Sequence, residues 1–357
     1  MNRKVRIIQI GYGKMGCRIV SYMIESGADI IGVFDADSLK TGSFIPGCDD
    51  QLKIEPVDGI EERIKQLRPD CAIVATKSLM RDVRDTILKC VEYGVSVVTT
   101  CDEALYPWTS SPAITKEIDL AAKAHACTVS SSGFPDLAYC SMIAATCGAA
   151  HRITAITGQA SYNVDDYGIA LARDHGVGLT EEEFHREIGS RNHITDVEQR
   201  RLINSGEFTA IPMWNANCWL CAKLGLTIRS HRQINLPIIA GKEVYSSTMG
   251  RVIRKGETLG MSAKAIAETE EGIRLETESI GKVYETGEED TNDWMIHGDP
   301  DIRVSNANIH NEEMICSLVV SRIVDTLNGP FGFVTSDHFQ PATFLLNPIN
   351  TYIRNMD

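Results

Sequence analysis

Hydrophobic and polar positions follow two rhythms along the chain. Up to about residue 148, short near-continuous apolar runs alternate with stretches in which apolar side chains recur every three to four positions. The runs VRIIQI (5–10), DIIGVF (29–34), DCAIVA (70–75), VSVVT (95–99) and residues 127–130 read as strands buried on both faces, as in a parallel sheet. The stretches 14–26, 59–68, 79–93, 113–126 and 137–147 read as helices, with Gly27 and Gly94 as stops. Strand and helix in alternation predict an α/β, Rossmann-type doubly wound sheet with right-handed crossovers.

From His151 the rhythm changes. ITAITGQASYNV, TIRSHRQINLPII, EVYSSTMGRVIR and SAKAIAET are β-rich and lack long helices between them, which predicts a second α+β domain on a mostly antiparallel sheet. Helical pieces interrupt it at 179–188, where Thr180 and Glu183 form a capping box, at DVEQRRLINS and at IPMWNANCWLCAKLG. A long helix over 311–327 carries Met314, Leu318, Val319, Ile323, Val324 and Leu327 on one face. The expected organisation is a dinucleotide-binding domain over 1–148, a substrate and dimerisation domain over 149–305, and a C-terminal part over 306–357 that returns to the first domain.

The first strand ends in GYGKMG. Gly11 permits the tight bend, Gly13 lets backbone approach a pyrophosphate, and Gly16 lets helix and strand pack closely. The helix N-terminus that follows favours an anion. Asp35, 24 positions beyond Gly11, closes the second strand where an acid contacts the adenosine ribose. The expected cofactor site is Gly11, Tyr12, Gly13, Lys14, Met15, Gly16, Asp35, Ala75, Thr76, Thr100 and Cys101. NAD is the expected cofactor because Asp35 repels a 2′-phosphate; NADP is the alternative, with Lys40 nearby to moderate the charge. The segment from Asp35 to Val57, with the acidic patch at 48–51, reads as a surface excursion near the adenosine end.

Thirty-five basic against 48 acidic residues, a net charge of −13, argue against a nucleic-acid or anionic-membrane surface and for small-molecule partners. Neither a signal peptide nor a membrane span is evident, so a cytoplasmic protein is expected. The 11 cysteines are scattered through apolar segments, as reduced core thiols are. Cys218 and Cys221 form a CxxC without a second pair, and no metal is expected.

Chemistry is expected where strands end. TTCDEALYPW (99–108) sets Asp102 and Glu103 beside Tyr106, Pro107 and Trp108; a carboxylate shielded by the two rings would have a raised pKa, suited to a general base or to an ammonium partner. The alternative is that the acids are solvated or cap a helix. The turn 130–135 lies at the same edge. Tyr106, Phe134, Tyr139, Tyr162 and Tyr167 are candidate pocket walls, and core packing is the competing reading for each. Asp165 and Asp166 could meet a second amine, or sit exposed in a helix's first turn.

GYGKMG, TTCDEALYPW, HGVGLTEEEF (175–184), HGDPDIRV (297–304) and LVVSRIV before GPFGFVTSDHF together resemble the family of 2,4-diaminopentanoate dehydrogenases and native amine dehydrogenases, whose fold is similar to that of dihydrodipicolinate reductase. The resemblance runs nearly end to end. It implies NAD(P)-dependent, reversible oxidative deamination of an amine to an oxo compound and ammonia, with a carboxylate of the block 101–108 meeting the amine and activating water. Asp102 stands where the family usually has Glu, and Glu103 follows it, so which acid acts is open. SSSGFPD (130–136) replaces a Gly-x-Asn-Pro-Gly turn, and Ser321 and Val324 replace an Asn and a Pro. The rivals are a same-fold oxidoreductase acting on a cyclic imine or an alcohol, and a nucleotide-binding regulator without catalysis. A homodimer through an exposed sheet face is expected.

Overall fold

The computed structural model describes residues 3–48 and 52–354; Asp49, Asp50 and Gln51 of the acidic patch lie outside the described residues. The chain divides into two units. The first contains 1–137, 203–209 and 310–357, the second 138–202 and 210–309.

The first unit opens with β1 (Arg6–Ile10), α1 (Lys14–Glu25), β2 (Asp29–Asp35), β3 (Ile54–Pro56), α2 (Ile60–Leu67), β4 (Cys71–Val74), α3 (Met80–Val91), β5 (Ser96–Thr99), α4 (Pro112–Ala124) and β6 (Thr128–Ser131). The second unit follows with α5 (Met142–Cys147), β7 (Arg152–Asn163), α6 (Ile169–Asp174), α7 (Glu181–Glu187), α8 (Asp196–Ser205), whose residues from Ile203 on count with the first unit, and α9 (Pro212–Leu224). It continues through β8 (Ile228–Ile239), β9 (Val244–Ser246), β10 (Arg251–Ile253), β11 (Thr258–Thr269), β12 (Arg274–Lys282), β13 (Thr291–Asp299) and β14 (Ile302–Asn306). The chain then returns to the first unit with α10 (Asn311–Asn328) and β15 (Gly332–Phe333).

Seven strands in the order β15-β6-β5-β4-β1-β2-β3, all parallel, form the sheet of the first unit. The period-two geometry of β1 sends Ile8 and Ile10 into the core with α2, α3 and α4, and Val5 and Ile7 into the core with α1 and α10. This is the doubly wound architecture that the apolar runs predict. Order is reversed between β1 and β4, which start on opposite sides of the crossover; ligands bind at the carboxyl ends of strands around such a switch.

In the second unit six strands run β14-β13-β7-β12-β11-β8, antiparallel except for β7 beside β12. Helix α9 covers one face: Thr277 Oγ1 donates to Asn217 Oδ1 at 2.9 Å, and Trp294 is buried on that side. The alternate positions, among them Thr157, Gln159, Glu276, Glu278, Asp293 and Met295, line the other face. The capping box is present on α7: Thr180 Oγ1 accepts from the Glu183 amide and Glu183 accepts from the Thr180 amide.

The boundary between the units differs from the expected 148. It falls after Leu137 because Tyr139 packs against Trp294 and the Ala138 carbonyl accepts from Asn292 Nδ2, both partners lying on β13. The segment 203–209, expected in the second domain, belongs to the first unit, where the Arg81 guanidinium donates to the Glu207 and Phe208 carbonyls and to Thr209 Oγ1.

Candidate functional site

Main-chain bonds bring the carboxyl ends of the central strands into line. The Gly11 amide donates to the Phe34 carbonyl, the Ala75 amide to Ile10 and the Thr100 amide to Val74, so Gly11, Ala75 and Thr100 share one edge. The three glycines of the turn have separate reasons. Gly11 has φ +90, and a Cβ there would overlap the Ala75 carbonyl. A Cβ on Gly16 would overlap the Gly11 carbonyl. Around Gly13 there is no atom within 4 Å of a would-be Cβ, and open space is what a pyrophosphate needs.

Gly13 is also the N-cap of α1, and no side chain caps that end and no acid occupies the first turn. The first amides of α1 thus keep their capacity for an anion. These residues fit a dinucleotide. Lys14 forms an ion pair with Glu312 at 2.7 Å, and Met15 packs partly buried on the core. Below the turn lies a residue the sequence did not single out. Gln9, fully buried in β1, donates from Nε2 to the Gly11 carbonyl at 2.8 Å.

Asp35 is buried and fully engaged. Oδ2 accepts the Tyr12 amide at 2.6 Å, Oδ1 accepts the Asp37 amide at 2.8 Å, and Lys40 Nζ stands 3.3 Å from Oδ2. Burial pushes the carboxyl up, but the two amides and the ammonium outweigh it and hold Asp35 below the usual carboxylate range.

The two neighbouring acids have different environments. Asp102, at the start of a short 3-10 turn after β5, is exposed to solvent, yet protein atoms crowd it closely enough that desolvation pushes its carboxyl up, with only the Ser78 hydroxyl opposing. Accessibility with desolvation is the combination that a general base would need. Glu103 is 2% exposed. Its Oε2 accepts the Met80 amide at 2.7 Å and its Oε1 accepts from Ser111 Oγ at 2.5 Å, so both oxygens are in use. The Trp108 ring, expected beside the acids, packs edge-on against Phe333, centroids 6.2 Å apart. Cys101 is buried beside these acids, and desolvation pushes its thiol well up, which leaves it a neutral core group. Thr76 is exposed, and its methyl carbon lies against the position a Gly11 Cβ would take.

The candidate pocket aromatics are divided between the two units. Tyr106 and Phe134 belong to the first unit, half-buried and buried respectively. Tyr139, Tyr162 and Tyr167 belong to the second. Tyr139 is buried against Trp294, 5.9 Å between centroids. Tyr162 and Tyr167 meet edge to face at 5.8 Å, and Tyr162 Oη lies 2.6 Å from His175 Nε2. Burial pushes His175 down, countered by its bond to the Leu171 carbonyl and by Asp174, so the neutral ring accepts from the phenol. Asp165, weighed as a partner for a second amine, instead holds the turn after β9 through Ser246 Oγ at 2.6 Å and the Ser247 amide at 2.8 Å. Cys218 and Cys221 are buried on α9, with Cys218 Sγ 3.5 Å from His231 Nδ1. Among the described residues no cluster of three or more His, Cys, Asp or Glu side chains is placed to hold a metal ion, and no helix is long and apolar enough to cross a membrane.

The family model of the 2,4-diaminopentanoate dehydrogenase C-terminal domain matches residues 139–343, more than half of the chain. The chain belongs to the 2,4-diaminopentanoate dehydrogenase family. A curated member, 2,4-diaminopentanoate dehydrogenase of Acetoanaerobium sticklandii, is 27% identical over 192 residues, 52% of this chain and 54% of that protein; the match thus spans about half the length of the curated relative. The solved structure of an amine dehydrogenase from Mycobacterium smegmatis is 30% identical and superposes with a TM-score of 0.87 over 97% of this chain and 98% of that one. A probable dehydrogenase from Thermotoga maritima, 10% identical with a TM-score of 0.58 over 93% of this chain and 92% of its own, shares the fold.

Proposed function

We propose that this family member is an NAD(P)-dependent amine dehydrogenase that catalyses the reversible oxidative deamination of a small amine or diamine. In the overall reaction one amine, one water and one NAD(P)+ give one oxo compound, one ammonium ion and one NAD(P)H. The observation that carries it is Asp102, an accessible carboxyl with a raised pKa at the end of β5, in the same unit and on the same sheet edge as the glycine turn.

Gly13 and the first amides of α1 hold the pyrophosphate, with Asp35 and Lys40 at the adenosine end. A bound nicotinamide supplies the acceptor for the hydride that leaves the carbon bearing nitrogen. The amine binds neutral, having left its extra proton to solvent, and faces the Asp102 carboxylate, since only the neutral amine can give up hydride from its carbon. The same carboxylate then takes a proton from the water that attacks the resulting C=N carbon, a general-base role worth about 10²- to 10⁴-fold, and returns it to the nitrogen, which leaves as ammonia as the C–N bond breaks and the C=O bond forms.

The relatives' names make a diamine such as 2,4-diaminopentanoate the first substrate to try. NAD is the preferred cofactor and NADP is accepted, because Asp35 disfavours a 2′-phosphate while Lys40 partly neutralises it. The protein works in the cytoplasm as a homodimer, a second copy covering the open face of the six-stranded sheet; a monomer by sedimentation would remove that part.

An initial-rate screen of amines and diamines with NAD+ and NADP+, repeated as reduction of the oxo compound with and without ammonia, tests the reading. Ammonia-dependent reduction is expected. Ammonia-independent reduction of a ketone or cyclic imine would put the protein with the alcohol or imine enzymes of this fold, and dinucleotide binding without any turnover would make it a nucleotide-binding regulator.

A further inference from the structure

Asp102 and Glu103 carry the same functional group one position apart, and the structure gives the second no access to a reactant. Glu103 makes three bonds to two segments of the first unit. Its amide donates to the Ser78 carbonyl at 3.1 Å. Its Oε2 accepts the Met80 amide at 2.7 Å, and its Oε1 accepts from Ser111 Oγ at 2.5 Å. The first two bonds tie the turn after β5 to the loop that leads from β4 into α3. The third ties it to Ser111, the N-cap residue of α4.

These bonds answer a local need. Leu79 is the N-cap of α3 and offers no side-chain acceptor, so the first-turn amide of Met80 depends on an acid from elsewhere. A carboxylate at that end is favoured by the helix dipole as well. With Glu103 held from both sides, the four-residue 3-10 turn that begins at Asp102 cannot tilt without breaking buried bonds. Asp102 is a short side chain, so main-chain placement decides where its oxygens lie.

We propose that Glu103 is a positioning residue for the deamination: it clamps the loops that end β4 and β5 together and thereby fixes the direction of the Asp102 carboxylate. The proposal rests on the reading of Asp102 as the base.

The two acids are separated by their amide variants. In Glu103→Gln the amide oxygen accepts from Met80 N–H and the amide nitrogen donates to Ser111 Oγ, which can accept, so the clamp survives. Turnover within about threefold of wild type is expected there, against a loss of about 10²-fold or more in Asp102→Asn. Glu103→Ala breaks the clamp. Its kcat is expected to fall about 10- to 100-fold, the scale of a misplacement near 1 Å, while the Kd of NAD+ in a fluorescence titration stays within about twofold. Hydrogen exchange of the amides of residues 101–105 in the free protein should rise in Glu103→Ala and not in Glu103→Gln. Should Glu103→Ala not fold, Ser111→Ala opens one arm alone and is expected to lower kcat by about threefold to tenfold, again with unchanged dinucleotide affinity.

Glu103→Gln as inactive as Asp102→Asn, with native Tm and NAD+ affinity, would make Glu103 itself the base and overturn the proposal. Wild-type kcat and exchange in both Glu103→Ala and Ser111→Ala would overturn it too. Full turnover in Asp102→Asn would instead strike the functional reading, whatever the Glu103 variants do.

Discussion

The backbone amide of Tyr12 donates to Asp35 Oδ2 at 2.6 Å, so the acid that closes β2 is bonded to the turn that follows β1. The carboxylate therefore braces the glycine turn from the end of the neighbouring strand. With the Asp37 amide on its other oxygen and Lys40 at 3.3 Å, its charge is partly neutralised.

Lys40→Ala should weaken NADP+ more than NAD+. Lys40 is more than a third exposed, so solvent screening limits its worth to about 1 kcal/mol, or about fivefold in KM for NADP+, with NAD+ within about twofold. Initial rates with each cofactor check this, and equal loss for both would remove Lys40 from the 2′-phosphate's surroundings.

Gly13→Ala separates stability from binding. No atom lies within 4 Å of the new methyl and φ at Gly13 is −80, so Tm should be unchanged. The methyl enters the space assigned to the pyrophosphate, and the Kd of NAD+ should rise about tenfold or more, since backbone approach to the phosphates needs that space. Gly16→Ala, which collides with the Gly11 carbonyl, should by contrast lower Tm as well.

A base must be deprotonated to act. Because desolvation raises Asp102, kcat for oxidation should fall on the acid side at a pH above the ordinary carboxylate range, and the limb should vanish in Asp102→Asn. A pH profile of kcat measures it. An acid limb in the ordinary carboxylate range would mean that the working carboxyl is in a more solvated place.

Arg322 and Asp136 form an ion pair at 2.6 Å with both side chains 1% exposed. Arg322→Met leaves the Asp136 charge buried without its partner, which typically costs about 3–5 kcal/mol. Urea denaturation should show that loss. The double variant Arg322→Met with Asp136→Asn should recover part of it, because the uncompensated charge is gone.

The elements of this protein that depend on neighbours in sequence were legible without coordinates. Apolar runs gave β1, β2, β4 and β5, GYGKMG gave the turn and the start of α1, and Thr180 with Glu183 gave the capping box. Each is written in residues a few positions apart, where period, φ preference and capping act.

Tertiary structure alone decided the surroundings of the two acids. Asp102 and Glu103 are nearly identical by sequence, and the Met80 amide, 23 residues away, with the Ser111 hydroxyl took one of them out of reach. In the same way Trp108 met Phe333, Asp165 was drawn to Ser246, 81 positions on, and Tyr162 found His175. A buried polar group must find a partner, and which partner is near is set by the packing of distant strands and helices, information that no local pattern of side chains contains.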